Sequence, residues 1–337
     1  MTDQIPESPI GTAVVAGGSA GIGRAVVQRL VGRGYRVGVM ARGEARLREM
    51  EDEFGTDWIK GVPCDVAEAD EVARAAREIV AWGGDLEIWV NSAMLTAFTP
   101  FREMPPEEFE AIVGATFLGQ VNGVREALRH MQAGTIVCIG SGLSYRAVPI
   151  QSAYVASKHA VHGFVHAVRS ELIAEEVPIT LSEVMLPGVN TPQFDWARNR
   201  MDEHPQPAPP IYQPDVAARG VMKAIDEGLE EVIVGKPAVE LIFGNMVAPH
   251  WLDRLMARKG IEGQKNDDDR THPDRGPNTF EPAEYPSTAY GSFGDRARSS
   301  GLIIDGGTAR AVAFGAPMIL ALGAGMAAGA ALARRRR

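Results

Sequence analysis

The chain is poor in cysteine: its 337 residues hold only Cys64 and Cys138. Two thiols cannot build a disulfide framework or a cysteine-rich zinc site, and they suit a reducing compartment. Both close apolar runs, where a thiol acts as a small hydrophobe. Positive charge is also in deficit. Lys+Arg 34 against Asp+Glu 43 leaves a formal charge of −9, which excludes a chain-wide basic nucleic-acid binder. No nucleic-acid partner is expected. Lysine is scarce, 6 against 28 arginines, a bias without mechanistic weight. The first eleven residues lack the basic start and apolar stretch of a signal peptide, which predicts a cytoplasmic catalytic domain. There is no internal repeat of roughly 20–50 residues. What is present is ordinary for a packed protein: 45% hydrophobic and 23% charged residues. Those values exclude wholesale disorder and a multi-span membrane architecture.

Short apolar runs alternate with helical patterns. Thr12–Ala16, Tyr35–Ala41, Trp58–Pro63, Leu86–Val90, Thr135–Ile139, Ile179–Met185 and Val232–Val234 read as strands. Gly21–Arg33, Glu44–Phe54, Glu68–Trp82, Pro106–His130, Ala153–Glu175 and Asp215–Leu229 read as helices. This alternation predicts an α/β fold, a doubly wound parallel sheet of Rossmann type with helices on both faces. The expected layout is a tail over residues 1–8, a catalytic domain over 9–260 and a Pro/Gly/Asp-rich linker over 261–310. The linker composition predicts a segment partly disordered or draped on the domain. An apolar helix over 311–333 and a basic end over 334–337 follow.

Gly17-Gly18-Ser19-Ala20-Gly21-Ile22-Gly23 joins the first strand to the first helix. Glycines there let the backbone approach a pyrophosphate, and the helix start offers free N–H groups and partial positive charge. At the end of the second strand stands Arg42, with no carboxylate to accept from a ribose 2′-hydroxyl. A guanidinium suits a 2′-phosphate in charge and geometry, so NADP(H) is expected ahead of NAD(H). Ser141 follows the Thr135–Ile139 strand, 13 residues before Tyr154. Tyr154 and Lys158 share a helical face at i, i+4. Pro187-Gly188 follows the next strand. In combination these motifs resemble the short-chain dehydrogenase/reductase family over about residues 10–240.

That resemblance implies an oxidoreductase interconverting a carbonyl and an alcohol by hydride transfer. It makes Tyr154 the acid/base, Lys158 its activator and ribose ligand, and Ser141 the residue that polarises the substrate oxygen. An ordinary tyrosine, of pKa about 10, is a sluggish acid–base group at neutral pH. Lowering it by two or three units takes roughly 3–4 kcal/mol of phenolate stabilisation, expected from Lys158 and the oxidised nicotinamide. Cofactor contacts are implied for Gly17, Ser19, Ala20, Gly21, Ile22 and Gly23, and for Arg42. Asp65 and Val66 match the family's adenine-contacting pair. Asn91 and Ala93 belong to Asn91-Ser92-Ala93-Met94, where the family usually has Asn-Asn-Ala-Gly. Tyr154, Lys158, Pro187, Gly188, Val189 and Thr191 complete the set. Thr116 stands where the family commonly has a relay asparagine, and its hydroxyl is expected to hold a water in its place. Members are usually dimers or tetramers, which implies a homo-oligomer.

His162 and His166 are a further i,i+4 pair, but no third metal ligand is apparent and no metal is expected. Phe194, Trp196, Met201 and Tyr212 in the Asn190–Tyr212 loop suggest an apolar substrate pocket. Residues 311–333 run without a charge for 23 residues and end in Arg334–Arg337. That length spans about 30 Å of bilayer core, yet ten alanines, four glycines and Pro317 weaken it. An interfacial helix with its arginines on anionic lipid is the alternative, and attachment through 311–337 is expected in one form or the other. Two rival functions stand beside the leading one. One is a catalytically weak NADP(H)-binding scaffold or sensor attached to a membrane. The other is epimerisation or dehydration on the same scaffold.

Overall fold

The computed structural model describes residues 8–266 and 278–315. Among the described residues ten strands form: β1 (Gly11–Ala16), β2 (Tyr35–Ala41), β3 (Ile59–Pro63), β4 (Leu86–Asn91), β5 (Ala97–Phe98), β6 (Met131–Ile139), β7 (Ile179–Met185), β8 (Arg198–Asn199), β9 (Glu231–Val234) and β10 (Ile303–Asp305). Eight of them make one sheet in the order β10-β9-β7-β6-β4-β1-β2-β3, and β5 pairs with β8 separately. The order reverses between β1 and β4, and at such a switch point the strand ends splay into a crevice.

Alternation along β1 explains the two layers. Ala13 and Val15 enter a core built with Val26, Leu30 and Val221, while Val14 and Ala16 enter the opposite core with Ile79, Trp89 and Val165. A strand apolar on both sides must be covered on both sides. The helices Gly21–Gly32 and Pro214–Glu227 lie over the first face; Ala69–Gly83, Gly119–His130 and Ser152–Ala174 lie over the second. The doubly wound Rossmann-type sheet is therefore as the sequence predicts.

Two features differ from the sequence reading, and a third takes one of its two alternatives, a linker draped on the domain. The expected Pro106–His130 helix is two helices, Pro106–Val113 and Gly119–His130, joined by a π-helical turn at Gly114–Leu118. Within that turn the Thr116 hydroxyl bonds both to the N–H and to the carbonyl of Leu95, each at 2.9 Å. Second, β9 is not the last strand: β10 pairs with it antiparallel, Ile304 opposite Ile233. Third, residues 278–310, expected as linker, lie against the domain and bury Thr279, Ala289, Phe293 and Ala309. Asp267–Asp269, residues 316–333 of the expected apolar helix, the basic end and residues 1–7 of the tail lie outside the described residues. Among the described residues no helix is long and apolar enough to cross a membrane.

Candidate active site

A cavity of about 160 Å³ opens at the switch point. Its floor is the glycine loop. Gly17 has φ +80°, and a Cβ there would run into the Ala93 backbone on the loop after β4. A Cβ at Gly23 would meet the Gly17 carbonyl. Substitution at either would push apart the first helix, β1 and the β4 loop. Gly17, Ser19, Ala20, Gly21 and Ile22 line the cavity. The helix begins at Gly21 with no side-chain cap, so first-turn N–H groups face the cleft without an intrahelical acceptor. The Gly21 N–H is the exception, donating to the Thr288 carbonyl at 2.9 Å.

At the end of β2 the cavity meets Arg42, Asp65 and Val66, as expected. Arg42 donates to the carbonyls of Asn278, Thr279 and Phe280 and stands 3.9 Å from Asp65. A second arginine, Arg46, sits beside it and was not anticipated. Its guanidinium carbon lies 5.3 Å from the Trp196 ring centroid. Burial, and then the neighbouring Arg42 charge, pull the Arg46 pKa down. The signal was available: Arg46 lies four residues beyond Arg42, in the first turn of the helix that starts at Glu44.

Asn91 does not reach the cleft. Its side chain is buried, accepts from the Trp89 indole N–H at 2.9 Å and lies against Gly123 and Cys138. The next residues, Ser92, Ala93 and Met94, line the cavity instead. Of the Pro187–Thr191 stretch, Thr191 lines the cavity. Pro187 packs on Gly235, Gly188 accepts from the Tyr212 N–H, and Val189 bridges to Tyr212. They support the wall from behind.

The Ser141 hydroxyl is the side chain that acts on Tyr154, drawing its pKa down. Ser141 ends β6 and caps the short turn Gly142–Ser144, its Oγ accepting from the Leu143 N–H at 3.1 Å. Lys158 is almost fully buried and donates to the Ile139 carbonyl at 2.6 Å. Its ammonium lies 5.6 Å from the Tyr154 ring centroid. The expected depression of the tyrosine pKa is absent from the chain by itself. Burial pushes Tyr154 up to about 12, opposed by the Ser141 hydroxyl. Burial pushes Lys158 down to about 8, opposed by the Glu183 charge. Desolvation outweighs the Ser141 hydroxyl, the opposing group at the phenol among the described residues. Thr116 also departs from expectation. It is fully buried, and its donor and one acceptor position are taken by Leu95. Gln120, unanticipated, joins Lys158 on the Ile139 carbonyl at 3.2 Å.

The loop after β7 divides its aromatic residues. Trp196 goes to the arginine end, and Tyr212 is buried in the core. Phe194 packs between Phe98 and Phe293, with ring centroids 5.7 and 6.0 Å apart. Of Phe194, Trp196, Met201 and Tyr212, Trp196 lines the cavity at the switch point. His162 and His166 continue the Tyr154–Lys158 ridge of the helix, and the fold supplies the third group the sequence lacked. His162 Nδ1 lies 2.7 Å from Glu183 Oε2, and the candidate ligand atoms of His162, His166 and Glu183 lie within 4.8 Å of one another. A tetrahedral zinc site brings its nitrogen and oxygen donors to about 3.3 Å of one another. The arrangement as it stands is an imidazole bonded to a buried carboxylate, whose pKa burial raises and His162 lowers.

A doubly wound sheet, a glycine loop at its switch point and a Ser–Tyr–Lys constellation define a Rossmann-type oxidoreductase. A family model described as short chain dehydrogenase matches residues 11–202, and the chain belongs to that family. It is 28% identical over 255 residues to an uncharacterised oxidoreductase, YxnA, of Bacillus subtilis, covering 73% of this chain and 71% of the relative. It is 32% identical over 180 residues to the 3-oxoacyl-[acyl-carrier-protein] reductase MabA of Mycobacterium tuberculosis, covering 52% of this chain and 68% of that one. Among solved structures, a short chain dehydrogenase/reductase from Burkholderia phymatum in complex with NAD has a TM-score of 0.64 at 20% identity, covering 74% of this chain and 96% of that one. A metagenomic short-chain oxidoreductase in complex with NADP has a TM-score of 0.56 at 26% identity, covering 68% and 98%.

Proposed function

We propose that the protein is an NADP(H)-dependent oxidoreductase interconverting a carbonyl and an alcohol on an apolar small molecule. The observation that carries this reading is the Lys158 ammonium beside the Tyr154 ring, with Ser141 the side chain that draws the phenol pKa down. The cleft fits a dinucleotide: a glycine cradle closed to any Cβ, an uncapped helix start, two arginines, and a buried Arg46 Nε without a partner. Gly17, Ser19 to Gly23, Arg42, Asp65, Val66, Ala93 and Thr191 would hold it. When bound, the nicotinamide gives or takes the hydride and, oxidised, adds positive charge. The chain's own residues manage the substrate oxygen. Ser141 donates to the carbonyl oxygen and polarises it. Tyr154 gives its proton as that oxygen gains charge, and Lys158 holds positive charge near the phenolate left behind. Met94 and Leu95 on the cavity wall support an apolar substrate.

The test titrates the full chain with NADPH and NADH by nicotinamide fluorescence, then screens carbonyl compounds. Tight NADPH and weak NADH binding are expected. Equal affinities remove Arg42 from its role, and binding of neither overturns the reading. One observation favours the competing reading, a cofactor-binding scaffold without turnover: the Thr116 hydroxyl is tied to Leu95 and leaves one lone pair for a relay water. NADPH binding without turnover across the panel and its alcohols would favour that scaffold. The uncharged run over 311–333 and Arg334–Arg337 support membrane attachment. Full-length protein in the soluble fraction of a detergent-free lysate would end that part. A homo-oligomer rests on family resemblance, and light scattering decides it.

A further inference from the structure

The arginine end of the cleft is closed by a segment outside the family match, which stops at residue 202. The Arg42 guanidinium donates to the carbonyls of Asn278 at 2.5 Å, Phe280 at 3.2 Å and Thr279 at 3.3 Å. Arg46 donates to the Ala283 carbonyl at 2.6 Å. Ser287 Oγ donates to the Ser19 carbonyl at 3.0 Å and accepts from Arg24 Nε at 3.0 Å. Thr288 accepts from the Gly21 N–H. The segment then reaches the loop after β7, where the Phe293 N–H donates to Asn190 Oδ1 at 2.9 Å. It thus runs along the cleft from the end of β2, past the glycine loop, to the Asn190 loop.

Two observations point from this contact to a ligand. First, Arg42 and Arg46 stand close enough to repel; the carboxylates that act on them are Asp65, 3.9 Å from Arg42, and Glu49, whose charge opposes the repulsion at Arg46 less strongly than Arg42 drives it. Backbone carbonyls orient a guanidinium but carry only partial charge, so a dianion between the two arginines would relieve the repulsion. Second, Asn278 Oδ1 and Arg46 Nε are buried without a hydrogen-bond partner, and both residues line the cavity with Arg42. A buried polar atom left unmade costs about 1–3 kcal/mol, so a pair of them on one cavity wall marks a place that binds. The orphaned Asn278 Oδ1 can only accept, so it suits a ribose hydroxyl, and the amide Nδ2 is the group that can donate to a phosphate beside it.

We propose that Asn278 is a cofactor-contacting, specificity-determining residue, which completes a 2′-phosphate subsite with Arg42 and Arg46 from outside the family-matched region. The inference rests on the NADP(H) reading. Its consequence is that the C-terminal segment, not the end of β2 alone, sets the preference between the two nicotinamide cofactors.

The test measures dissociation constants of the full chain, as wild type, Asn278→Asp and Asn278→Ala, for NADPH, NADH, 2′,5′-ADP and 5′-AMP. The wild type should favour NADPH over NADH and 2′,5′-ADP over 5′-AMP. A carboxylate at position 278 faces the phosphate, so Asn278→Asp should lose NADPH affinity tenfold or more, with NADH within threefold. Asn278→Ala should lose three- to tenfold, and 2′,5′-ADP should weaken in parallel while 5′-AMP does not. A wild type that discriminates, with variants that keep the full ratio, overturns the role of Asn278 and leaves the NADP(H) reading standing. Equal wild-type affinities overturn both. Equal weakening of all four ligands, or a lower cofactor-free melting temperature in both variants, makes the residue a support for the fold and also overturns the inference.

Discussion

The family-matched region and the segment from residue 278 to 310 are held by different physics. β1, β2 and β4 carry apolar residues on both faces, and Val14, Val15, Val37 and Val90 are wholly buried. Their stability comes from area removed from water, and it is shared by the whole sheet. The later segment buries fewer apolar side chains, Ala289, Phe293 and Ala309 among them. Its anchors are mainly hydrogen bonds, many of them from arginines to backbone carbonyls. The first region can set geometry because its packing is dense. The second can set preference because its contacts are polar, few and placed on the cleft. On the proposed reading, chemistry belongs to the first, and the second adds to the arginines a contact that discriminates between cofactors.

Removing the reacting group is the strongest way to sharpen that division. Tyr154→Phe should lower turnover by about 10²–10⁴-fold, the usual worth of a positioned acid–base group. NADPH affinity should stay within threefold, since the arginine end is untouched. Steady-state kinetics beside a fluorescence titration separate the two. Turnover within threefold of wild type would remove Tyr154 from the reaction.

Next in size is a core truncation. Leu30 is wholly buried in the face that packs under the first helix. Leu30→Ala should cost about 2–5 kcal/mol of global stability, the transfer term plus the cavity. Denaturant unfolding measures it, and a loss below 1 kcal/mol would mean that the first region is not the cooperative core the comparison makes it.

The same contrast explains what could be read beforehand. Helical periodicity exposed the helix over Gly21–Arg33, and an uninterrupted apolar run exposed β1, because burial on a regular element leaves a pattern. Spacing exposed Ser141, Tyr154 and Lys158. Residues 278–310 leave no repeat, because a backbone carbonyl accepts from Arg42 whatever side chain it carries. Their composition reads as linker, although Asn278 lines the cleft. The π-helical turn at Thr116 was equally hidden. It goes with a pair of hydrogen bonds to Leu95, a contact 21 residues away in sequence. Asn91 misled for a related reason: motif position placed it at the cleft, but the glycine at 123 leaves room for its side chain in the interior.

A smaller effect belongs to the buried ammonium. With Lys158 held at about 8, the proton it needs for its role is present below that pH and lost above it. Carbonyl reduction, as kcat/KM, should be flat below pH 7 and fall about tenfold per unit above 8. Lys158→Arg keeps its charge throughout, so it should lose the fall even where its absolute rate is low. A wild-type profile flat to pH 10 would show that the Lys158 charge does not limit the reaction.

The smallest expected effect tests whether the two regions are energetically separate. Ser287→Ala removes the bond to the Ser19 carbonyl and the acceptor for Arg24. Each is worth about 0.5–1.5 kcal/mol net, and Arg24 keeps its ion pair with Glu53. If the later segment opens as a unit of its own, that loss falls on local opening and not on global unfolding. Hydrogen exchange should then speed up several-fold at Thr288, Tyr290 and Phe293, with the amides of β1 and β4 unchanged. The denaturant midpoint should move little, since the core that governs it is intact. Acceleration spread evenly over β1 and the segment would mean that the two regions unfold together, and the division between packed core and polar clasp would have to be given up.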